Sequence, residues 1–447
     1  MGIWRRWADS GAHSNIALFG AGAMGRGIIH RLNLTPWMRP AVVINRSVEN
    51  GLMAFKAAGI DPNDVVVSDD PDELAAAIES ENPALSASPD VIEALDSIDT
   101  VVEATGALDY GARVVLGSLE AGKHVVSLNA ELDATIGFLL HDTARRRGVV
   151  YTISDGDQPG VILRHMEFVS GMGFAITAAI NCKRNLDVHQ NPETSRGYAN
   201  RDNHSLTMAT AFGDGTKMQI ENAVVANVTG LVPDLRGMHG VETTLERACD
   251  DLMEATGQRG VVEFTLGGDF AGGIGVIGYA EDPAMVQVYM RTAKMGDGPF
   301  YFFFRPYHLL HFELPVTVAE VSLDRHGLGV PGIPPVADVV AIAKRDLNPG
   351  DTLDGIGGFT CYGHIDTVEG AAGLLPMGLA EHARIVRRVA QDEPITMDDV
   401  ELESSAEIVR LRGEQDGLVS RHRDLERSQL THEVGPTPIF LGDFNVV

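Results

Sequence analysis

The sequence predicts an α/β protein whose N-terminal part is a doubly wound, mostly parallel sheet. Between residues 15 and 153, short apolar runs alternate with helix-compatible segments, the pattern of a parallel sheet with helices on both faces. The first apolar run, at 16–19, ends in a glycine-rich turn of the form Gly-x-Gly-x-x-Gly. After residue 153 the pattern becomes mixed, which predicts an α+β domain and then a β-rich C-terminal domain.

The glycine-rich turn contains Gly20, Gly22 and Gly25, with Ala23 and Met24 between the last two. Gly20 permits a tight turn, Gly22 lets the backbone approach a pyrophosphate, and Gly25 lets helix and strand pack closely. The helix that follows offers free N–H groups and a positive dipole end to phosphates. Glycines also serve ordinary turns, but the strand before and the helix after favour a dinucleotide site in a Rossmann-type sheet.

The second predicted strand, at 41–44, indicates which dinucleotide is bound. It ends in Asn45, Arg46 and Ser47, where NAD-binding proteins usually place an acidic residue against the ribose 2′-hydroxyl. No acid is present, and a guanidinium with two short polar neighbours suits a 2′-phosphate. The sequence therefore favours NADP over NAD, the alternative being that Arg46 is a solvated loop residue.

The remaining elements of this domain follow in order. They are a helix at 48–58, strands at 65–67 and 100–104, a helix at 111–121, a strand at 124–127, a helix at 136–147 and a strand at 149–153. The acidic segment 68–99 is expected to be a solvated surface excursion.

Ligands of doubly wound sheets lie beyond the carboxyl ends of the strands. Thr105 and Gly106 follow one of these ends, and Asn129 and Glu131 follow the next. We expect Thr105, Gly106 and Asn129 to contact the cofactor. Glu131 is expected to lie near the substrate.

The sequence from 154 to 333 is expected to form the catalytic domain. Strands are predicted at 175–180, 260–266, 275–279 and 286–290, and helices at 219–228 and 243–256. Three polar, turn-rich loops at 155–160, 181–184 and 213–217 are candidate substrate contacts, since binding residues concentrate on loops.

The last predicted domain, 334–447, contains two similar turn-rich segments at 343–353 and 390–400, followed by a charged tail from 403. The tail is expected either to be helical and packed on the body or to be partly mobile. The predicted domains are therefore 1–153, 154–333 and 334–447.

The composition indicates which kinds of binding partner and which cellular location to expect. Lys and Arg number 35 against 62 Asp and Glu, a net charge of −27, which argues against nucleic acid and anionic membranes. Cys182, Cys249 and Cys361 lie far apart and suggest no disulfide framework. The chain has neither a signal-like start nor an apolar run of membrane-spanning length, so a cytoplasmic location is expected.

Several motifs together resemble a known family. The glycine turn and the stretches 121–131 and 155–160 resemble homoserine-dehydrogenase-like oxidoreductases. The stretches 181–183, 214–217 and 306–309 narrow the resemblance, and the paired segments near 343–353 and 391–400 resemble a SAF domain. The combination resembles the branch with the second type of 1-deoxy-D-xylulose 5-phosphate reductoisomerase and sugar-acid oxidoisomerases.

The resemblance implies a reductoisomerase, which shifts a carbon–carbon bond in a ketose and then reduces the new carbonyl with NADPH. Such a site needs cations for developing enolate charge and a base for hydroxyl protons. Lys183 and Lys217 are the candidate cations, and Asp214 can orient Lys217 or act as base. The alternative is that Lys183, Lys217 and Asp214 are ordinary solvated residues of turns.

The substrate side is less well defined. Asp155 and Asp157 are candidate substrate contacts and candidate ligands for Mg²⁺ or Mn²⁺, which prefer oxygen donors. Arg184 and Arg201 are available for a phosphate or carboxylate, although Arg184 stands where the branch more often has glycine. The resemblance also implies a small-molecule substrate and a homo-oligomer.

Three functions remain open at this stage. They are an NADP-dependent reductoisomerase or oxidoisomerase, a simple dehydrogenase of homoserine type that moves no carbon, and a non-catalytic nucleotide sensor. The polar loops of the second domain argue against the sensor, because a sensor does not need two lysines and several carboxylates there.

Overall fold

The computed structural model describes residues 2–202, 204–257, 260–270 and 272–430. The last part of the predicted C-terminal tail, 431–447, lies outside the described residues. The strands are β1 Ser14–Phe19, β2 Met38–Ile44, β3 Val66–Val67, β4 Ala84–Ser86, β5 Thr100–Glu103, β6 His124–Ser127, β7 Tyr151–Ile153, β8 Ala175–Lys183, β9 Val241–Glu242, β10 Val261–Leu266, β11 Ile274–Tyr279, β12 Phe300–Arg305, β13 Ala337–Ala343, β14 Cys361–Thr367, β15 Arg384–Ile385 and β16 Val400–Glu401.

The α-helices are α1 Ile3–Ser10, α2 Ala23–Leu34, α3 Val48–Ala57, α4 Pro71–Glu79, α5 Leu108–Glu120, α6 Ala130–Arg147, α7 Gln158–Gly171, α8 Arg196–Asp202, α9 Leu206–Gly213, α10 Thr216–Thr229, α11 Ala248–Thr256, α12 Pro283–Thr292, α13 Leu314–Asp324 and α14 Glu407–Leu430. None of the helices within the described ranges is both long and apolar enough to cross a membrane.

The chain divides into two compact units. The first unit contains the residues up to 133 together with 139–160 and 309–330, and the second contains 134–138, 161–308 and the chain from 331 onward. The predicted division was into three domains, 1–153, 154–333 and 334–447. The two units place 309–330 with the N-terminal part of the chain and combine most of the second and third predicted domains.

The first unit is built on a seven-stranded sheet in the order β3-β4-β2-β1-β5-β6-β7. All neighbouring strands are parallel. The central strands are buried along their whole length, as expected for strands covered by helices on both faces. The predicted doubly wound α/β fold is confirmed.

One strand of this sheet was missed by the sequence analysis. β4, of three residues, lies within the acidic segment 68–99 and pairs with both β2 and β3. The prediction that this whole segment is a surface excursion was therefore wrong. Three apolar or small residues are too few for a strand pattern to stand out among acidic neighbours.

α13 belongs to the first unit because its apolar face packs into that unit's core. Leu314, Val318 and Val321 are fully buried in the same cluster as Ile16 of β1 and Ile28 of α2. α13 also contacts α1, and the Arg6 guanidinium of α1 lies 2.7 Å from the carboxylate of Asp324, the last residue of α13. The core of the first unit is thus completed by a helix about 160 residues downstream of its last strand, β7.

The second unit contains a five-stranded mixed sheet in the order β12-β11-β8-β10-β9. β8 is parallel to β10 and antiparallel to β11. The strand predicted at 286–290 is instead part of α12, so that prediction was wrong. Pro283 at the first turn favours a helix start. The sequence analysis predicted a strand because Val286, Val288 and Met290 alternate with other residues at the period of two that is typical of strands.

α10 is the central helix of the second unit. Every residue from Thr216 to Ala226 is buried, because the helix contacts β8 and β10 as well as the antiparallel pair β13–β14. Its polar side chains are bonded within the unit. Gln219 donates to the carbonyl of Gly237 and accepts from the backbone N–H of Ile365.

α14 shows that the described part of the predicted tail is helical. Its Arg412 forms an ion pair with Asp338 of β13, and its Gln415 donates to the carbonyl oxygen of Thr135 at 3.0 Å. Thr135 immediately precedes Ile136, whose φ of −137° interrupts α6. The side chain of Gln415 therefore supplies a hydrogen bond at the break in that helix.

Candidate cofactor and catalytic sites

The glycine-rich turn has the geometry of a phosphate-binding loop. Gly20 has a φ of +101°, and a Cβ there would lie 2.8 Å from the carbonyl oxygen of Ala104. A Cβ on Gly25 would lie 2.0 Å from the carbonyl oxygen of Gly20. Gly22 precedes α2 and has no heavy atom within 4 Å of its Cβ position, so it faces open space. Gly20 and Gly25 are thus required by packing, whereas Gly22 leaves room for a ligand.

The end of β2 supports this turn. The Asn45 side chain accepts a hydrogen bond from the backbone N–H of Ala21 at 3.0 Å and donates to the carbonyl oxygen of Ser47. Ser47 caps α3 by accepting from the backbone N–H of Asn50. Arg46 lies between them with an exposed side chain. Asn45 and Ser47 therefore order the loop that presents Arg46.

The predicted positions after β5 and β6 are also ordered. The backbone N–H of Thr105 donates to the Glu103 carboxylate at 2.8 Å, and Gly106 follows with a φ of +67°. Asn129 caps α6 by accepting from the backbone N–H of Leu132, and it donates to the carbonyl oxygen of Ala107. These loops offer backbone and amide groups at the edge of the sheet where ligands of this fold bind.

Glu103 was not among the predicted site residues. Its side chain is fully buried, and its Oε2 atom makes no hydrogen bond. Burial raises the pKa of its carboxyl, which hydrogen bonds from Thr105 oppose. Glu103 thus holds the Thr105 loop in place.

A buried titratable cluster lies at the start of α6. Asp133 Oδ2 is 3.9 Å from His141 Nε2, and the His141 ring packs edge-on against Tyr151 with centroids 4.8 Å apart. Burial raises the pKa of Asp133 to about 7 and lowers that of His141 to about 3. At mildly acidic pH both groups are therefore uncharged, because burial disfavours each charged form.

Replacing Asp133 with Asn is expected to change how stability depends on pH. The pKa of Asp133 in the folded protein is about 7 against an ordinary 3.8, so the stability that it contributes is present at low pH and lost as pH rises to 7. Relative to Asp133→Asn, the wild type should lose on the order of 2 kcal/mol of unfolding free energy between about pH 5 and pH 8. Urea unfolding at both pH values measures this loss. His141 titrates in both proteins, so parallel pH dependences would contradict the expectation.

Three acidic candidates of the first unit are buried: Glu131, Asp155 and Asp157. The backbone N–H of Asp155 donates to the Thr317 hydroxyl, which also lies 3.3 Å from Asp155 Oδ2. Nowhere in the described ranges do three or more His, Cys, Asp or Glu side chains converge as metal ligands. A role for Asp155 and Asp157 as ligands of a divalent cation stays a prediction.

In the second unit, Lys183 at the end of β8 approaches a buried carboxylate. Its Nζ atom lies 3.7 Å from Glu221 Oε2, and the Asn181 side chain donates to the same oxygen at 3.0 Å. Glu221 is 2% exposed. Lys217 is also buried and lies one helical turn before Glu221 on α10, so the two share a helix face. We call these four residues, Asn181, Lys183, Lys217 and Glu221, the lysine cluster.

Asp214 has a different partner from the one expected. Its Oδ2 atom accepts a hydrogen bond from Lys344 Nζ at 2.8 Å, and its Oδ1 accepts from the backbone N–H of Thr216 at 2.9 Å. Burial raises the pKa of this carboxyl, and Lys344 opposes that shift. Asp214 therefore binds the start of α10 and a lysine from the C-terminal part of the chain. Its role as a catalytic base stays a prediction.

The two candidate arginines lie on the surface of the second unit. Arg184 directly follows Lys183 and is exposed, and Arg201 on α8 is exposed with its guanidinium 5.1 Å from the Tyr198 ring. Their exposure contrasts with the burial of Lys217 and Glu221. Glu221 and Lys344, which do contact site residues, were absent from the prediction. The spacing of Lys217 and Glu221 was the one signal in the sequence that pointed to Glu221.

Two family models match this chain. Residues 20–153 match the model described as homoserine dehydrogenase, NAD binding domain, and residues 156–314 match the model described as oxidoreductase DRL, catalytic domain. A comparison with curated proteins finds no match.

Among solved structures, a probable dehydrogenase from Thermotoga maritima is similar at 9% identity, with 71% of this chain and 91% of that chain covered and a TM-score of 0.39. A putative myo-inositol dehydrogenase from Sinorhizobium meliloti 1021 is similar at 11% identity, with 70% and 89% covered and a TM-score of 0.38. A DOX-P reductoisomerase in complex with magnesium is similar at 14% identity, with 69% of each chain covered and a TM-score of 0.36. The family matches, together with the glycine turn, identify the chain as an NAD(P)-dependent oxidoreductase.

Proposed function

We propose that this chain is an NADP-dependent reductoisomerase or oxidoisomerase acting on a small sugar phosphate or sugar acid. The observation that carries the proposal is the lysine cluster, in which Lys183 and Lys217 accompany the buried carboxylate of Glu221. Reduction of one carbonyl needs a single proton donor, whereas breaking and remaking a carbon–carbon bond also requires stabilised enolate charge and a proton acceptor. Two cations and one carboxylate meet both needs.

Each residue has a role in this scheme. Lys183 and Lys217 stabilise negative charge on the substrate oxygens as the carbon–carbon bond breaks and re-forms. Glu221, held by Asn181 at 3.0 Å, orients the Lys183 ammonium and accepts a hydroxyl proton. The buried surroundings strengthen these interactions because little water screens them.

The cofactor proposed is NADPH, which supplies the hydride that reduces the rearranged carbonyl. Gly20, Gly22, Ala23, Met24 and Gly25 would hold its pyrophosphate. The residues Asn45, Arg46 and Ser47 would bind the adenosine ribose with its 2′-phosphate, and Thr105, Gly106 and Asn129 would lie at the nicotinamide. Open space at Gly22 and the absence of an acid after β2 support this assignment.

Glu131, Asp155 and Asp157 are proposed as substrate contacts, with Arg184 and Arg201 as binding groups for an anionic substituent. Asp155 and Asp157 are also proposed as ligands for Mg²⁺ or Mn²⁺ where the reaction uses one, and no step is assigned to the metal ion. A simple dehydrogenase of homoserine type is the second candidate, favoured by the match of residues 20–153 to the homoserine dehydrogenase model.

An NADPH-oxidation screen separates the two candidates. It uses deoxyxylulose phosphate, aspartate semialdehyde, and branched and linear sugar acids, each with and without Mg²⁺ or Mn²⁺. Products are resolved by NMR for carbon skeleton. A rearranged skeleton supports the reductoisomerase, while reduction without rearrangement of every substrate turned over would reject it.

Replacing Arg46 with Ala is expected to weaken NADPH binding by about tenfold or more while leaving NADH affinity nearly unchanged. The substitution removes a charge-assisted contact to the 2′-phosphate, and hydrogen bonds to charged groups contribute about 1.5–3 kcal/mol. Calorimetric titration of both cofactors measures the change. Arg113→Ala, which removes another exposed arginine of the same unit, is the control. Equal affinity of the wild type for NADPH and NADH would contradict the proposed preference.

A further inference from the structure

Lys344 is a buried lysine whose bonding partners all lie in the second unit. It follows β13 directly, and its side chain is 3% exposed. The ammonium donates three hydrogen bonds of 2.8 Å, to Asp214 Oδ2 and to the carbonyl oxygens of Gln190 and Gly358. A lysine ammonium has three donors, so every one of them is used.

Two of these bonds reach the segments that carry the lysine cluster. Asp214 accepts from the N–H of Thr216, the first residue of α10, and Lys217 is the next residue. Gln190 belongs to the loop that leaves β8 immediately after Lys183. A single ammonium group thus connects both lysine-bearing segments to the β13 strand.

The same two segments are packed against each other beside this ammonium. A Cβ on Gly213 would lie 2.0 Å from the Gln190 side chain, and a Cβ on Gly215 would lie 2.5 Å from Leu186. Val188 packs against the buried side chains of Val340, Ile342 and Tyr362. The loop after Lys183 is therefore held by apolar packing as well as by Lys344.

Resting on the proposed function, we propose that Lys344 is a positioning residue that sets the separation of Lys183 and Lys217 through Gln190 and Asp214. The charge of Asp214 is neutralised by Lys344 and its second oxygen caps α10. Asp214 thereby acts as a positioning residue too, not as the base. The C-terminal β-rich segment then contributes to the reaction by anchoring the catalytic loops.

Three variants test this proposal in the full chain: Lys344→Met, Asp214→Asn and the double variant. The double variant leaves no unpaired buried charge, and an amide can still accept from the Thr216 N–H, so it keeps the protein folded even where Lys344→Met does not. Arg412→Met with Asp338→Asn is the matched control. It removes a partly buried ion pair of the second unit, which joins α14 to β13.

If Lys344 holds the two loops in position, amide hydrogen exchange in residues 184–190 and 213–217 should become faster in the double variant and stay unchanged in the control. Turnover should fall by about tenfold or more with NADPH affinity unchanged. The loss in the double variant should match that in Lys344→Met where this variant folds, because Lys344→Met already removes all three bonds of the ammonium. Asp214→Asn should lose no more than this, since the bonds from Lys344 to Gln190 and Gly358 stay in place. The hydrogen-exchange measurement requires no substrate. It therefore tests whether Lys344 anchors the two loops even if the protein does not catalyse the proposed reaction.

Three results would overturn the proposal. Unchanged exchange in both loops would show that Lys344 does not hold them. Looser loops with wild-type turnover would show that their position does not matter for the reaction. Losses that multiply in the double variant, together with loss of the acidic limb of the pH–rate profile in Asp214→Asn alone, would make Asp214 a direct participant.

Discussion

Replacing Lys217 or Lys183 with methionine is expected to lower turnover by about two orders of magnitude or more. Loss of one preorganised electrostatic stabiliser typically costs about 10²–10³ in kcat. The effect should be large here because Lys217 is 5% exposed and the Lys183 side chain is 21% exposed. At such buried positions little water is available to stabilise the negative charge once the ammonium group has been removed. Methionine keeps most of the length and apolar contacts of lysine.

The affinity for NADPH should hardly change in either variant. The residues proposed to hold the cofactor belong to the first unit, whereas both lysines belong to the second. Lys56→Met, which removes an exposed lysine of the first unit, is the matched control for loss of a positive charge. Steady-state kinetics and calorimetric titration give the two readouts. Wild-type turnover in both lysine variants would reject the lysine cluster as the reacting site.

Gly22→Val is expected to abolish dinucleotide binding without unfolding the protein. The φ of Gly22 is −70°, which any residue adopts, and no atom lies within 4 Å of its Cβ position. The substituent therefore strains nothing in the protein itself. It would occupy the space in which the pyrophosphate approaches the backbone. Calorimetry should detect no NADPH binding, with an unchanged circular dichroism spectrum and melting temperature.

Gly25→Ala provides the contrasting variant. A Cβ there meets the carbonyl oxygen of Gly20 at 2.0 Å, so the turn between β1 and α2 must shift. We expect this variant to lose both cofactor binding and thermal stability. Normal NADPH affinity in Gly22→Val would show that the phosphate site lies elsewhere.

Much of the first unit was predictable because its signals are local. The first strand contains a continuous apolar run at 16–19, and the glycine turn combines three glycines within six positions. β4 was not predicted because a strand of three residues is too short to show the alternation of apolar and polar residues that identifies a strand. The segment 286–290 was misassigned because its alternating Val and Met residues fit a strand as well as an exposed helix.

The catalytic arrangement was only partly predictable because its contacts join distant parts of the chain. Lys183 and Lys217 could be selected from polar loops. Of the residues that the structure pairs with the candidates, Glu221 had only its spacing from Lys217 as a signal, and Lys344 had none. Lys344 is separated from Asp214 by 130 positions, and no spacing rule connects a lysine after a strand with a carboxylate before a helix. The Asn181–Glu221 contact spans 40 positions and is equally invisible in the sequence.

The placement of α13 also affects how the chain must be made. A ribosome delivers all seven strands of the first sheet by residue 153, yet Leu314, Val318 and Val321 emerge only after another 160 or so residues. Throughout that interval the nascent sheet carries an uncovered apolar face, which is a site for chaperone capture or aggregation. A gene fragment ending at residue 153 would keep that face exposed permanently. We therefore expect a fragment of residues 1–153 to be less stable than a fusion that joins 309–330 to it.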